Sequence, residues 1–405
     1  MTTVVTRAVK GSALTYAEMD ANFINLNTDK LEAGTPGTNI ANTPAGGVVA
    51  TTVQAAIDEL DTKKAPLASP VFTGNPTAPT PAAGDNDTSI ATTAFVTSLI
   101  TRKNRLINGG FQINQRGTAT MAAANVFGPD RWQAVLSGGT GITATFTNAV
   151  NTGWKAGYAG IVAGNWTTGA IRLIQNIESY DCTDLVNENV TITTTVYHNA
   201  GVSVNYYLEL RSADVKDTYG STTLIGLSSA TLVATATAVT LTYTVNAGAA
   251  AAKGLQLQIK TDATTVVGKS FFFGDTQLEK GSSATAFEMS PYGLEWSLCY
   301  RFYYRSFPGL AAVLGTSWIA STTNAAGFVT FPVPMRIVPS ALEQSGTAGD
   351  YSVGATVCTV APFFAAGSKT IGRVTFTTGA TLTAGNGSDI RTTGANGYLG
   401  WSAEL

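Results

Sequence analysis

Histidine is almost absent from this chain, with one in 405 residues. Cysteine occurs three times, at Cys182, Cys299 and Cys358, far apart and without metal-ligand spacing. An odd number of distant cysteines does not make a disulfide scaffold, so they read as buried free thiols. Charged residues make up only 12%, and the formal net charge of −2 is scattered without a basic stripe, which argues against a nucleic-acid binder. No apolar run reaches membrane-spanning length, and the start MTTVVTRAVKG lacks the apolar core of a signal peptide. The chain is therefore expected to be made in the cytoplasm and not to insert into a membrane. No GxSxG, HExxH or P-loop is present, so the common catalytic motifs are missing.

What is abundant is Gly, Ala, Thr, Ser and Asn, a mixture that favours strands and positive-φ turns over helix. The length predicts two or three folding units. Residues 1–103 hold one Tyr, three Phe and no Trp, so every Trp lies further on. The stretch NRLINGGFQINQRG, residues 104–117, marks the change. Because large aromatics supply most of the burial in a packed core, globular structure is expected to begin there.

Four regions follow: 1–33, 34–103, 104–305 and 306–405. In the first, Thr3 to Val9 reads as a short strand. Thr15 and Glu18 then form a capping box, with Leu14 and Met19 as a hydrophobic staple. Met19, Phe23 and Leu26 make a narrow helical seam, and after a Gly/Pro/Asn linker from Gly34 to Ala50 the residues Val53, Ile57 and Leu60 continue the same spacing. Such seams suit oligomerisation, although a solvent-exposed connector helix is the open alternative. Dense prolines between Pro66 and Pro81 forbid helix and central strand, predicting an extended stalk or a disordered linker. A short helix carrying Phe95, Leu99 and Ile100 is expected after a cap at Asp87 or Thr88.

Beyond residue 104, two strand halves, Leu106–Ile107 and Phe111–Ile113, are expected on either side of Asn108-Gly109-Gly110. Strand patterns recur at 141–148, 156–162, 170–177, 190–199, 202–211, 231–245, 254–260 and 271–279. That number with Gly/Asn/Thr turns predicts a jelly roll or sandwich whose first and last strands pair. Leu294, Leu298 and Phe302 have helical spacing and predict a helix joining it to a second β-unit after Ser306. The fold class is mainly β, with short N-terminal helices, a Pro-rich stalk, a jelly roll and a C-terminal sandwich-like tip.

The segment APLASPVFTGNPTAPTPAAGDNDTSIATTAFV closely resembles one found repeatedly in tail fibres and receptor-binding proteins of double-stranded DNA bacteriophages. KGSALTYAEMDANFINLN looks like the leading segment of such fibres. LINGGFQINQRG, GPDRWQ and FFFGDTQLEKGSSATAFEMSPYGLEWSLCYRFYYR resemble fibre domains with a carbohydrate-binding-module-like jelly roll, and the closing GYLGWSAEL resembles fibre tips. The resemblance implies a homotrimer, an N-terminus docked on a phage tail or baseplate protein, and a place in the virion tail. It also implies bacterial surface polysaccharide as partner and a structural calcium held by an acid in the closing strand, here Asp275, with Gln112 where an acid usually follows the NGGF phenylalanine.

For sugar contact, aromatic rings beside amides are the composition to seek, which points to Trp154, Tyr158, Asn165 and Trp166, with Tyr206 and Tyr207 as further material. His198 alternates with Val190, Ile192 and Val196 and reads as structural. Asp181 with Asp184 and Asp214 with Asp217 are the close acid pairs that a glycan-hydrolysing tailspike would need, but no β-helix coil repeat accompanies them. Adhesion without catalysis is the leading expectation, with a purely structural spacer as the rival.

Overall fold

The computed structural model describes residues 6–28, 36–63, 74–81, 87–93, 96, 102–121, 126–137, 144–149, 157–163, 168–265, 268–306, 312–379 and 381–405. The chain divides into two compact units, residues 1–81 with 85–92, and residues 82–84 with 93–405. In the first unit, part of the expected N-terminal strand is instead a helical turn, α1 (Arg7–Lys10), closed by Gly11 at φ 71°. Val9 thus lies in a turn that glycine's freedom at positive φ terminates. The capping box is present: the Thr15 amide donates to Glu18 Oε2 at 2.8 Å, and the Glu18 amide donates to Thr15 Oγ1 at 3.2 Å. It opens α2 (Tyr16–Thr28). The described part of the expected linker is folded against α3 (Val53–Lys63), because Glu59 accepts the amides of Val49 and Ala50 at 3.0 Å each. Residues 74–81 have no regular structure. Phe95, Leu99 and Ile100 lie outside the described residues.

The second unit opens with β1 (Ala119–Met121), β2 (Val126–Phe127), β3 (Gln133–Ser137), β4 (Ala144–Ala149) and β5 (Tyr158–Ala163). Next come β6 (Thr168–Ile177), β7 (Asn189–His198), β8 (Val204–Val215), β9 (Thr218–Leu227) and β10 (Thr231–Val233). β11 (Val239–Asn246), β12 (Leu255–Thr261), β13 (Thr264–Thr265) and β14 (Ser270–Lys280) complete a two-sheet antiparallel sandwich. One sheet runs β1-β4-β5-β14-β7-β11, the other β10-β8-β12-β6-β3-β2 with β9 beside β8 and β13 beside β6. Alternation puts Val190, Ile192 and Val196 from the first sheet against Leu208, Leu210, Leu257 and Ile259 from the second in one core, as a period of two requires. His198 shares that core, fully buried between Phe271 and Tyr206; its Nε2 donates to Val233 O and its Nδ1 accepts the Ala200 amide.

Three expectations are corrected. The closing strand β14 lies inside its sheet between β5 and β7, while β1 pairs with β4 at the edge. The strand expected over 231–245 is two, β10 and β11, separated by a turn in which Ala236 takes φ 58°. Residues 104–117 form no strand at all. That last stretch instead satisfies its backbone through side chains. Asn108, at φ 57°, donates from Nδ2 to the carbonyls of Ile113 and Asp130 at 2.8 and 3.0 Å, and accepts the Ile113 amide at 3.1 Å. Gln175 closes a reciprocal amide pair with Ile107, 2.8 Å each way. Trp132 Nε1 donates to Asn108 O at 2.8 Å, and the Trp132 and Phe111 rings lie 4.8 Å apart, fully buried.

Asp130 sits beneath this stretch, accepting both the amide and the side-chain Nε2 of Gln115 at 2.8 and 2.5 Å. Burial pushes its carboxyl up to about 6, against the opposing pull of Arg116 and of the Gln115 hydrogen bonds. A carboxyl raised by folding contributes stability that is fully present below its unfolded value near 3.8 and lost as pH rises through about 6,. The Asp130→Asn variant is therefore expected to be insensitive to pH at this site. Denaturant titrations at pH 3.5 and 7 should show the wild type losing about 3 kcal/mol more than the variant over that interval; equal pH slopes would refute this.

After the sandwich, α4 (Tyr292–Tyr300) buries Glu295 and Cys299. Of the expected seam Leu298 and Phe302 pack with Cys299, Ile107 and Ile113, while Leu294 is exposed. Then follow β15 (Tyr303–Arg305), β16 (Val313–Ile319), β17 (Asn324–Thr330), β18 (Glu343–Gln344), β19 (Tyr351–Val353), β20 (Thr356–Gly367), β21 (Ile371–Thr378), β22 (Gly387–Thr392) and β23 (Leu399–Ser402). Where a sandwich-like tip is expected, β16-β17-β21-β20-β19-β22 form a closed barrel, which leaves no sheet edge,. Its core includes Val374, Phe376, Ile390 and the fully buried Trp401 of β23. The residues after β23 return to the sandwich, where Asn176 Nδ2 donates to Leu405 O at 3.0 Å and Glu404 pairs with Arg131 and, at 3.5 Å, Arg116; from between β17 and β18, Arg336 donates to the carbonyls of Ala403 and Glu404 at 2.8 Å each.

Candidate functional site

Alternation within β3, β6, β8 and β12 sends one residue set into the core and the other to the outer face of the second sheet. The inward set is Leu136, Leu173, Leu208, Leu210, Leu257 and Ile259. The outward set is mostly polar, and backbone register aligns it into rows. Val135 faces Arg172, Arg172 faces Lys260 and Lys260 faces Tyr207; one pleat along, Gln133, Ile174, Gln258 and Glu209 line up, and beyond them Asn176, Gln256 and Arg211.

The centre of this face is sunken. Gln258 and Glu209 are only 5% and 4% exposed, whereas Arg172 is exposed and Lys260 and Tyr207 are half-buried. Buried polar groups need partners, and here they serve each other. Gln258 donates to Gln256 Oε1 at 2.5 Å, and Gln256 donates to Asn176 Oδ1 at 2.8 Å. Glu209 is gripped by Lys260 and Arg211. Its burial alone would raise its carboxyl, but those two cations prevail and hold it below the usual carboxylate range. At the rim, Tyr207 Oη donates to Asp262 Oδ2 at 3.1 Å and Asn205 Nδ2 to the same oxygen at 2.9 Å; the Asp262 carboxylate holds the phenol above its ordinary value. Beside the rim, Val135, Ser137, Ala170, Arg172, Lys260 and Thr261 line a cavity of about 130 Å³, room for several waters or one small polar ring. The Asn176 end is closed by the chain's final residues.

This arrangement offers a fixed set of donors and acceptors, an aromatic ring at the edge and no mobile proton carrier. It can orient hydroxyl groups, because ion-paired side chains hold their directions without paying fresh ordering entropy.

Of the residues singled out for sugar contact, Trp154, Asn165 and Trp166 lie outside the described residues. Tyr158 is on the other sheet, where its ring meets Phe272 edge-on at 5.0 Å and Phe272 lies 5.6 Å from Tyr197. The structure therefore does not join Tyr158 to the polar rows. Tyr206 is core; Tyr207 is on the polar face. The remaining members, Arg172, Glu209, Gln256, Gln258 and Lys260, are not among the residues singled out, although polar residues at every second position of β8 and β12 are a readable signal,.

Asp275 takes φ 45° in the bulge of β14 between Gly274 and Gln277. Gln112 instead lines a small pocket with Asn104, Glu288 and Glu295. Among the described residues no group of three or more His, Cys, Asp or Glu is placed to hold a metal ion. Calcium takes six to eight oxygens, several of them anionic, so Asp275 and Gln112 as they stand do not fit it. Asp214 accepts the hydroxyls of Ser221 and Thr223, and Asp217 accepts Ser179 N–H and O–H; both serve the β8–β9 hairpin and its neighbour. Asp184 pairs with Arg105 at 2.7 Å.

No protein-family model and no curated protein matches the chain. Solved structures similar to part of it include a CBM4 carbohydrate-binding module, 18% identical, covering 43% of this chain and 98% of that one at a TM-score of 0.28. The CBM22-1 xylan-binding domain from Paenibacillus barcinonensis is 14% identical and covers 45% and 100% at 0.27. The enzymatically active domain of tailspike protein 4 of bacteriophage CBA120 is 13% identical, covering 44% of this chain but only 21% of that one, at 0.29.

Proposed function

We propose that this chain is a homotrimeric bacteriophage tail fibre that binds bacterial surface polysaccharide, without cleaving it, through the outer face of the second sandwich sheet. The observation that carries the binding reading is the pair of adjacent polar rows in which Glu209, Lys260, Tyr207 and Gln258 are ion-paired or hydrogen-bonded in advance of any ligand, with Arg172 exposed beside them. Sugars present many hydroxyls and weak apolar faces, so a rigid set of amides and ions next to one phenol suits them.

The fibre reading is supported by the N-terminal segments that resemble tail fibres and by exposed apolar side chains on α2 and α3. Phe23 and Leu26 of α2 are 73% and 47% exposed, and Ile57 and Leu60 of α3 are 55% and 47% exposed. Met19 and Val53 complete these seams, half-buried in the single chain. Three tethered copies would turn weak sites into firm attachment, since linkage raises avidity by about 10² to 10⁴.

The test uses the full chain on an array of purified bacterial O-antigen and capsular polysaccharides, with light scattering in parallel. Arg172→Ala and Tyr207→Ala are each expected to weaken the strongest interaction at least tenfold, about 1.4 kcal/mol, at a trimer's mass. Undiminished binding by both variants would overturn the site, and a monomer's mass would overturn the trimer.

A further inference from the structure

The outer wall of the C-terminal barrel carries three large aromatics that its core does not use, Trp318, Phe328 and Phe363. Trp318 of β16 and Phe363 of β20 are each 52% exposed. Register places them in one row across five strands: Gly387, Trp318, Ala326, Thr375 and Phe363. Between the rings stand only a methyl group and a threonine, and on the far side of the indole there is no side chain. Neighbouring strands lie about 4.8 Å apart, so three spacings separate the two rings by roughly 14 Å. The next row, one pleat along, reads Asp389, Thr316, Phe328 and Arg373. Arg391, on the same face of β22, pairs with Asp389.

The charge content distinguishes what such a face receives. Protein–protein interfaces are rich in aromatics and Arg but depleted of Asp and Ala, and here Ala326 stands between the rings and Asp389 in the next row, beside Arg373 and Arg391. A saccharide wants that mixture: its C–H face packs on a ring, while its hydroxyls find carboxylate, guanidinium and hydroxyl partners. We propose that the barrel face around Trp318, Phe328 and Phe363 is a second saccharide site, taking an oligosaccharide laid across the strands from Trp318 to Phe363, independent of the polar face on the sandwich.

The proposal shares its ligand class with the function proposed above but not its residues, so the two can fail separately. The same polysaccharide array is read with the full chain, Trp318→Ala, Phe363→Ala and Arg172→Ala. Because Trp318 and Phe363 are exposed, thermal unfolding should stay within about 1 °C of wild type. Each is expected to lose at least tenfold in affinity on spots that Arg172→Ala still binds, and Trp318→Phe should recover part of it. If no spot depends on Trp318 and Phe363, the barrel site is refuted whatever Arg172→Ala does. A lower oligomeric mass in Trp318→Ala by light scattering would also refute it, assigning this face to contact between copies of the chain.

Discussion

Replacing Glu404 with Ala is expected to lower stability by about 3–5 kcal/mol, because it strands a buried cation. The side chains of Arg131 and Glu404 are 2% and 6% exposed. Arg131 also donates to Asn176 O and lies over the Phe302 ring, 3.5 Å from its centroid. Those neighbours fix the guanidinium but do not neutralise it, so removing the carboxylate leaves a buried charge without its counter-ion. Arg116, 3.5 Å from the same carboxylate, would face the same loss. In a unit of this size the change should appear as a fall of on the order of 10 °C in the unfolding midpoint. Glu404→Gln, which keeps hydrogen-bonding atoms, should lose less. Scanning calorimetry on the three proteins decides it: a Glu404→Ala midpoint within 2 °C of wild type would show that the pair contributes little.

The Asn108→Ala variant should lose about 4 kcal/mol. Its side chain makes three buried hydrogen bonds to main-chain groups of Ile113 and Asp130; Ile113 O keeps the Asp130 amide, but Ile113 N–H and Asp130 O are left without a partner, each at about 1–3 kcal/mol. Alanine must in addition hold φ near 57°, a conformation that costs an L-residue roughly 1 kcal/mol or more. Asn108→Gly separates the two effects, since glycine accepts that backbone without strain. It should recover about 1 kcal/mol relative to alanine in denaturant titrations. A loss below 1 kcal/mol for both variants would mean that water replaces the side chain, contrary to its burial.

Much of the architecture is legible in the amino-acid sequence. The capping box at Thr15 and Glu18 formed because it is a local signal, settled within one turn. Strands such as β6, β7, β12 and β14 were legible because period-two alternation, as in Val190, Ile192, Val196 and His198, encodes which face is buried. β9 was missed because its sequence TYGSTTLIGL pairs outward against β8 without a clear apolar face. Residues 104–117 read as strand from their apolar pattern, yet the same Leu106, Ile107, Phe111 and Ile113 are buried by a loop whose backbone is satisfied by Asn104, Asn108 and Gln175. Other groups that satisfy this loop's backbone lie up to 190 positions away, and no local pattern contains them. Closure of the barrel is likewise set by pairing between β16 and β22, remote in sequence.

The polar face was legible in part. Gln256, Gln258 and Lys260 alternate with Leu255, Leu257 and Ile259, so their outward direction follows from sequence. Their alignment with Arg172 and Tyr207 does not, since it depends on the register of three strands drawn from different parts of the chain. Attention to aromatics drew the reading to Tyr158 instead, because ring composition is visible in a sequence and concavity is not.

The three buried thiols have a consequence for watching this molecule come apart. Burial pushes Cys182 up to about 12 and Cys358 up to about 11, and raises Cys299 as well. Alkylating reagents attack thiolate, so in the native state all three are silent. Cys182 lies in the sandwich core, Cys358 in the barrel core and Cys299 on the helix between them. Each body and the seam joining them thus carries its own chemical clock, and the order in which the three sites become labelled records the order in which the parts open.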